Sequence, residues 1–159
     1  MAEKAIRING NNFDANFCLT VANQLNGDLD EALKYARISD QQRPNCSEIK
    51  CKFGQLLLML GRFVEAKEWL ECATQLSKSN AEAHFNLGVV LMHLRRFDMA
   101  VKEFDKSIKL QPKMPKAYSQ KGLCEAKLLL SEKAKRSFYT ALALDPSDPT
   151  ALEFQASVA

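Results

Sequence analysis

The sequence repeats itself every 34 residues. Glycines recur at this interval at Gly54, Gly88 and Gly122, and Pro112 and Pro146 keep the same spacing. Two more columns share it: Ala32, Ala66, Ala100 and Ala134, and, four residues after the last three of these, Leu70, Phe104 and Phe138. A fixed period of this length is typical of chains in which each repeat packs only on its neighbours. We therefore divide the chain into four repeats, 13–46, 47–80, 81–114 and 115–148.

Each repeat is predicted to hold two helices. In the third repeat, apolar residues recur at helical spacing at Phe85, Val89 and Met92, and again between positions 100 and 108. A break that begins with glycine separates the two stretches in the first two repeats, at 27–29 and 61–63, which suits a helix end and a short turn. An all-α fold of helical hairpins follows.

The small residues of each repeat are expected to have a steric role. Glycine at the eighth position and alanine at the twentieth allow the paired helices to approach closely, and phenylalanine or leucine at the twenty-fourth fills the space beyond. The second helices are expected to end before Pro44, Pro112 and Pro146, because a proline pushes the residue ahead of it out of the helical region. Ser47 and Asn80 are expected to cap the helices that follow.

The third repeat carries the pattern of a known family. Its pattern residues are Leu87, Gly88, Leu91, Phe97, Ala100, Phe104 and Pro112. The chain resembles a tetratricopeptide repeat array over essentially its whole length, which implies a right-handed α-solenoid of antiparallel helix pairs.

Several residues depart from the family pattern. His84 stands where the family usually has tryptophan, and Thr20 replaces a glycine. Lys121 and Glu125 occupy columns that the family fills with leucine and tyrosine. These two are expected either to form an i, i+4 ion pair or to belong to a contact surface for a neighbour.

The two ends read as incomplete repeats. Residues 1–12 align with the second half of a preceding repeat's second helix, and 149–159 with the start of a following repeat or a terminal helix. Because a solenoid needs a polar cap at each end to stay soluble, we expect a segment of a longer array that self-associates through these ends.

The resemblance places function on a concave face lined by the first helices, at repeat positions two, five, six, nine, twelve and thirteen. The predicted partner-binding residues in these columns are Phe17, Val21, Gln24, Cys51, Lys52, Gln55, Leu58, Met59, Phe85, Asn86, Val89, Met92, His93, Lys116, Ser119, Gln120, Leu123 and Lys127.

The ninth column, Val21, Gln55, Val89 and Leu123, is mostly apolar. An apolar inner wall favours a partner that buries hydrophobic side chains, either an amphipathic helix or an extended peptide. The opposing interpretation is that some of these residues are interhelical core. The alternative function is an assembly module that packs on other copies or on sister repeats in a multi-subunit complex.

Two partner classes known for the family do not fit. The clamp that holds chaperone C-terminal tails would fall on Cys51, Gln55, Asn86, Lys116 and Gln120, where only two of the five slots match. The asparagine ladder of the sugar-transferase-linked arrays would need asparagine at Cys18, Lys52 and Gln120.

Charge is uneven along the chain although the formal total is only +3. Between Lys109 and Arg136 there are eight basic residues against Glu125 and Glu132. This cluster indicates either an acidic stretch of the partner near repeat four or a solvated rim that speeds encounter. Nucleic acid is not indicated, because no aromatic stacking platform accompanies the lysines.

Chemistry of the chain's own is not predicted. The two histidines, His84 and His93, are nine residues apart on one helix, and no Cys-x-x-Cys or His-x-x-x-His spacing suggests a metal or other cofactor. Five cysteines favour reduced thiols and a cytoplasmic location over a disulfide framework. No apolar run is long enough for membrane insertion.

Overall fold

The computed structural model describes residues 12–158, which contain nine α-helices and no strand. The helices are α1 (Phe13–Asn26), α2 (Leu29–Gln42), α3 (Ser47–Met59), α4 (Phe63–Leu76), α5 (Ala81–His93), α6 (Phe97–Leu110), α7 (Pro115–Lys127), α8 (Ser131–Leu144) and α9 (Pro149–Val158). The expectation for residues 1–12 falls almost wholly outside the described range.

The helices pack as consecutive antiparallel pairs, α1/α2, α3/α4, α5/α6 and α7/α8. They form two compact units that divide between Lys78 and Ser79, so that α1 to α4 belong to the first unit and α5 to α9 to the second. The predicted all-α fold of paired helices is confirmed.

The same turn joins the two helices of every pair. In the α1/α2 turn the Asp28 amide donates to the Asn23 carbonyl at 2.9 Å and the Gly27 amide to the Gln24 carbonyl at 3.2 Å. The other three turns repeat this pattern of a six-residue and a four-residue bond, which satisfies carbonyls left over at the helix end.

Such a turn requires one residue with positive φ. Gly27 (φ 85°) and Gly61 (φ 73°) fill this position in the first unit, as the glycine-led breaks predicted. Arg95 (φ 60°) and Leu129 (φ 61°) fill it in the second unit, where a side chain makes the conformation costly.

The predicted steric role of the small residues is confirmed. A Cβ added at Gly88 would lie 2.7 Å from the Phe104 ring, and one added at Gly54 would lie 2.5 Å from the Leu70 side chain. The column of alanines is 0–1 % exposed at Ala32, Ala66, Ala100 and Ala134. The helices of a pair therefore touch where the side chains are smallest.

The first pair buries the same two columns with different side chains. Thr20 stands in the glycine column and Ala36 in the column of bulky residues, and both are 0 % exposed. The Thr20 hydroxyl donates to the Asn16 carbonyl at 2.9 Å, which satisfies the buried oxygen within its own helix. The larger side chain has moved from the second helix to the first.

The helix ends follow the prolines. The helices α2, α6 and α8 end two residues before Pro44, Pro112 and Pro146, as expected. The predicted Asn80 cap is confirmed, since its side chain accepts from the Ala83 amide at 3.0 Å. The Ser47 cap is wrong, because Ser47 begins α3 and its hydroxyl donates to the Ala73 carbonyl of α4 at 2.9 Å.

In the second unit, α9 packs on α8 and α7. Phe154 stacks on Phe138 with ring centroids 4.2 Å apart, and Ala151 is 0 % exposed. Asp148 caps the helix by accepting from the Ala151 amide at 2.8 Å.

Candidate functional site

All 18 predicted binding residues lie on the first helices of their pairs, α1, α3, α5 and α7, but their burial differs. The exposed ones are Met59, His93, Lys116 and Lys127. The half-buried ones are Phe17, Val21, Gln24, Lys52, Gln55, Leu58, Phe85, Val89, Met92, Gln120 and Leu123.

Three of the 18 are buried. Cys51, Asn86 and Ser119 are only 3 %, 4 % and 1 % exposed. The Ser119 hydroxyl lies 3.2 Å from the Asp148 carboxylate that caps α9, so it serves the interior of the second unit. These three residues offer almost no area to a partner, and Cys51 does not line a groove wall as the repeat column suggested.

In the first unit the structure brings α1 and α3 together at their C-terminal ends. The Gln24 Nε2 donates to the Met59 Sδ at 3.4 Å. The Lys52 Nζ donates to the Gln55 Oε1 at 2.7 Å on α3 itself. The side chains on this face of the first unit thus present amide, ammonium and thioether groups.

In the second unit α5 is apolar on two faces. Leu87, Val90 and Leu91 are 5 %, 0 % and 2 % exposed and form its core face. The other face carries Phe85, Val89 and Met92, which remain half-buried. Packing within the protein therefore leaves part of this second apolar face uncovered.

Helix α7 extends this apolar face within the second unit. It contacts α5 directly. Its Leu123 is half-buried, while Lys116 near its start and Lys127 at its end are exposed. We call the set Phe85, Val89, Met92 and Leu123 the apolar strip of the second unit. Leu123 therefore lies between two exposed cations along α7, Lys116 and Lys127.

The basic cluster of the fourth repeat is only partly neutralised. Lys121 pairs with Asp105 at 2.6 Å, and Lys135 with Glu132 at 3.1 Å. The other six basic residues of the cluster are exposed: Lys109, Lys113, Lys116, Lys127, Lys133 and Arg136. Hydrogen bonds from Ser147 lower the pKa of the Asp145 carboxyl, and the Lys116 charge adds to this effect.

The predicted Lys121–Glu125 pair is confirmed at 3.7 Å, but it belongs to a larger buried network. Glu125 is 3 % exposed, and its second carboxylate oxygen accepts from the Ser137 hydroxyl at 2.6 Å. These contacts thus link α6, α7 and α8 through Asp105, Lys121, Glu125 and Ser137. The acidic and basic groups of this network satisfy one another.

Sequence reasoning missed a cleft in the first unit. It has a volume of about 320 Å³ and is lined by Lys50, Glu68, Trp69 and Cys72. The Lys50 Nζ lies 2.7 Å from the Asp40 carboxylate and 4.7 Å from the centre of the Trp69 ring. The cation is already satisfied by these contacts. Lys50 stands in the same repeat column as His84, 34 residues earlier, whereas the other three lining residues stand outside the consensus columns, so no sequence signal marked the cleft as a whole.

The described residues contain no group of three or more His, Cys, Asp or Glu side chains placed to hold a metal ion. Burial, together with the charge of Glu125, raises the pKa of the Cys124 thiol to about 12, which keeps it protonated at neutral pH. Across residues 12–158, no helix has the length and apolar character that crossing a bilayer requires.

Comparison with known proteins supports the fold. The family model of the tetratricopeptide repeat matches residues 81–114, so the resemblance found in the sequence is confirmed on this repeat. No curated protein matches the sequence.

Solved structures resemble most of the chain. The crystal structure of MamA is 22% identical with a TM-score of 0.81, and the match covers 91% of this chain and 85% of that one. MamA 41-end from Desulfovibrio magneticus RS-1 is 19% identical with a TM-score of 0.81, covering 93% and 84%. YrrB, described as a TPR protein with an unusual peptide-binding site, is 20% identical with a TM-score of 0.80, covering 98% and 80%.

Proposed function

We propose that this protein is an interaction scaffold without chemistry of its own, which holds a peptide or helix of a protein partner on its first-helix faces. The observation that carries the proposal is the apolar strip of the second unit. Four apolar side chains on two touching helices stay partly exposed although the core beside them is closed. Uncovered apolar area of this kind marks a surface for another protein.

Burial of the strip by a partner would contribute to the free energy of binding. Covering the exposed part of one such side chain contributes at most about 0.7 kcal/mol, roughly a third of what burying a whole side chain contributes. Four of them provide at most about 3 kcal/mol before the partner's own apolar groups are counted. This suits a reversible complex with a short amphipathic helix or an extended peptide.

The cations near the strip define the partner's charge. Lys116 and Lys127 are exposed on α7 and lie outside the Lys121 and Lys135 ion pairs. We propose that an acidic stretch of the partner lies beside repeat four, where these charges accelerate encounter more than they add affinity. The similarity to YrrB, which is described as having a peptide-binding site, supports a peptide as the class of partner.

The first unit supplies a second, more polar contact face in this proposal. Its exposed and half-exposed residues are Phe17, Val21, Gln24, Lys52, Gln55, Leu58 and Met59. Amide and ammonium groups on this face suit hydrogen bonds to a peptide backbone. We also propose a cytoplasmic location, because Cys51 and Cys124 are packed as small apolar residues rather than paired.

The test replaces one strip residue and one matched residue. Peptides are first selected from a displayed library for binding to the wild-type protein. Their affinities are then measured for the wild type, Val89→Lys and Val101→Lys. Both valines are half-buried, but Val101 lies on the second helix α6, outside the strip. We expect Val89→Lys to weaken binding at least tenfold and Val101→Lys to leave it within twofold, since only the first places a charge in the apolar contact.

Stability measurements show whether a loss of binding comes from the contact or from unfolding. Val89→Lys should shift the free energy of unfolding by only a few tenths of a kcal/mol, as surface changes do. If Val89→Lys unfolds the protein, Val89 is core and the strip is structural. If no peptide binds and sedimentation shows concentration-dependent dimers that Val89→Lys disrupts, the assembly function replaces peptide binding.

A further inference from the structure

The turn between α7 and α8 differs from the same turn in the other three repeats. Its three residues are Leu128, Leu129 and Leu130, which are 36 %, 87 % and 39 % exposed. The equivalent positions hold Asn-Gly-Asp at 26–28, Leu-Gly-Arg at 60–62 and Leu-Arg-Arg at 94–96. Polar residues or glycine thus occupy the last two positions of the turn in every repeat except the fourth.

The departure is unfavourable for the protein on its own. Leu129 has a φ of 61°, a left-handed conformation that disfavours any residue with a Cβ. Its side chain is also almost fully exposed, so it gains no burial within the fold. A glycine, as at Gly27 and Gly61, would hold the same turn without either cost.

Cations flank this leucine turn along the chain. Lys127 precedes it as the last residue of α7, and Lys133 and Arg136 follow on the first two turns of α8. All three are exposed, and within residues 12–158 no carboxylate forms an ion pair with any of them. The nearby Glu132 is instead paired with Lys135 at 3.1 Å.

We propose that the leucine turn, Leu128 to Leu130, docks on an anionic lipid surface. A fluid acyl layer accommodates the exposed side chains of three consecutive residues without a pocket shaped to receive them. The headgroup plane of an anionic bilayer places negative charge around such an insertion, where Lys127, Lys133 and Arg136 stand. This is a contact of side chains at the interface, unlike the helix insertion that the sequence excludes.

The experiment measures co-sedimentation with vesicles of phosphatidylcholine alone and of phosphatidylcholine with 30 % phosphatidylserine at 100 mM salt. We expect binding only to the second, weakened by added salt. Leu129→Gly should lower binding at least fivefold while the protein becomes more resistant to urea. A merely structural role for Leu129 would not separate these two readouts. Leu25→Ser, at a leucine that is 82 % exposed in α1, is the matched control and should bind as the wild type does.

The charges are tested with two double variants of equal net charge. Lys127→Glu/Lys133→Glu should weaken vesicle binding twentyfold or more, since each cation near the surface contributes about fivefold. Lys109→Glu/Lys113→Glu, at the other end of α7 and about 20 Å away, should weaken it less than fivefold.

Three results would overturn the proposal: equal loss in both double variants, wild-type binding by Leu129→Gly, or no binding of the wild type to anionic vesicles. If vesicles fail but library peptides bind and Leu129→Gly loses them, the turn is a protein-docking site and not a lipid contact.

Discussion

The pairs α1/α2 and α5/α6 form the same hairpin from different side chains. In α5/α6 the first helix contributes Gly88 and the second contributes Phe104, whose ring fills the space above the glycine. In α1/α2 the first helix contributes Thr20 and the second contributes Ala36. Both pairs bury these positions completely or nearly so, which shows that the fold requires a closed contact here and not a particular residue in either helix.

The largest expected effect comes from Phe104, which is 0 % exposed. Phe104→Ala should lower the free energy of unfolding by about 3–5 kcal/mol, because a buried ring leaves a cavity. Adding Gly88→Thr to that variant recreates the solution of the first pair and should recover at least about 1 kcal/mol. Urea unfolding of the single and double variants measures both. A double variant that is no more stable than Phe104→Ala would mean that Thr20 and Ala36 depend on other residues of the first repeat.

The alanine column should behave identically in the two pairs. Ala32 and Ala100 are both 0 % exposed where their helices meet. Ala32→Leu and Ala100→Leu should each cost about 1–3 kcal/mol by overpacking. Ala143→Leu, on the exposed side of α8, should leave stability nearly unchanged and serves as the control. Tolerance of leucine in one pair alone would limit the shared geometry to the turn.

The smallest effect concerns the positive-φ position of the turns. Arg95→Gly and Leu129→Gly should each stabilise the protein by about 0.5 kcal/mol, because relief of the left-handed strain exceeds the entropy that glycine adds to the unfolded chain. Gly61→Ala should cost a similar amount through the backbone alone, since an added Cβ there meets no atom within 4 Å. Thermal unfolding resolves these differences. Destabilisation by both glycine substitutions would show that the long side chains contribute contacts which outweigh the strain.

The repeat period predicted the helices and their close contacts from the sequence, because period and residue size are properties of the chain itself. Gly54, Gly88 and Gly122 marked the contacts that the structure shows, and the prolines marked the helix ends. Ser47 misled, because a serine at a helix start suits a cap as well as a bond to another helix. Only the packed pair supplies the Ala73 carbonyl that it reaches.

The repeat columns assigned residues to the candidate binding face, but they did not predict how exposed each residue is. Cys51 and Met59 were both assigned to the binding face, yet Cys51 is 3 % exposed and Met59 is 51 % exposed. Their place in the repeat gives each a direction around the helix axis. How much of each remains uncovered depends on side chains from neighbouring helices, which a single repeat does not describe.

The residues that depart from the family pattern also show which features follow from the sequence and which need the tertiary structure. His84 replaces a tryptophan, and the structure places its Nδ1 2.7 Å from the Glu103 carboxylate of α6. Spacing offered the Lys121–Glu125 pair as one of two expectations, because residues four apart share a helix face. The burial of Glu125 and its bond to Ser137 follow only when α8 closes over α7.

The sequence by itself therefore determined the period, the helix pairs, the glycine turns of the first two repeats and the columns of small and large residues, because these depend on local conformation and residue volume. The tertiary structure alone decided which apolar residues stay uncovered, which charges are neutralised and where the leucine turn stands exposed, because burial and ion pairing are set by residues distant in the sequence.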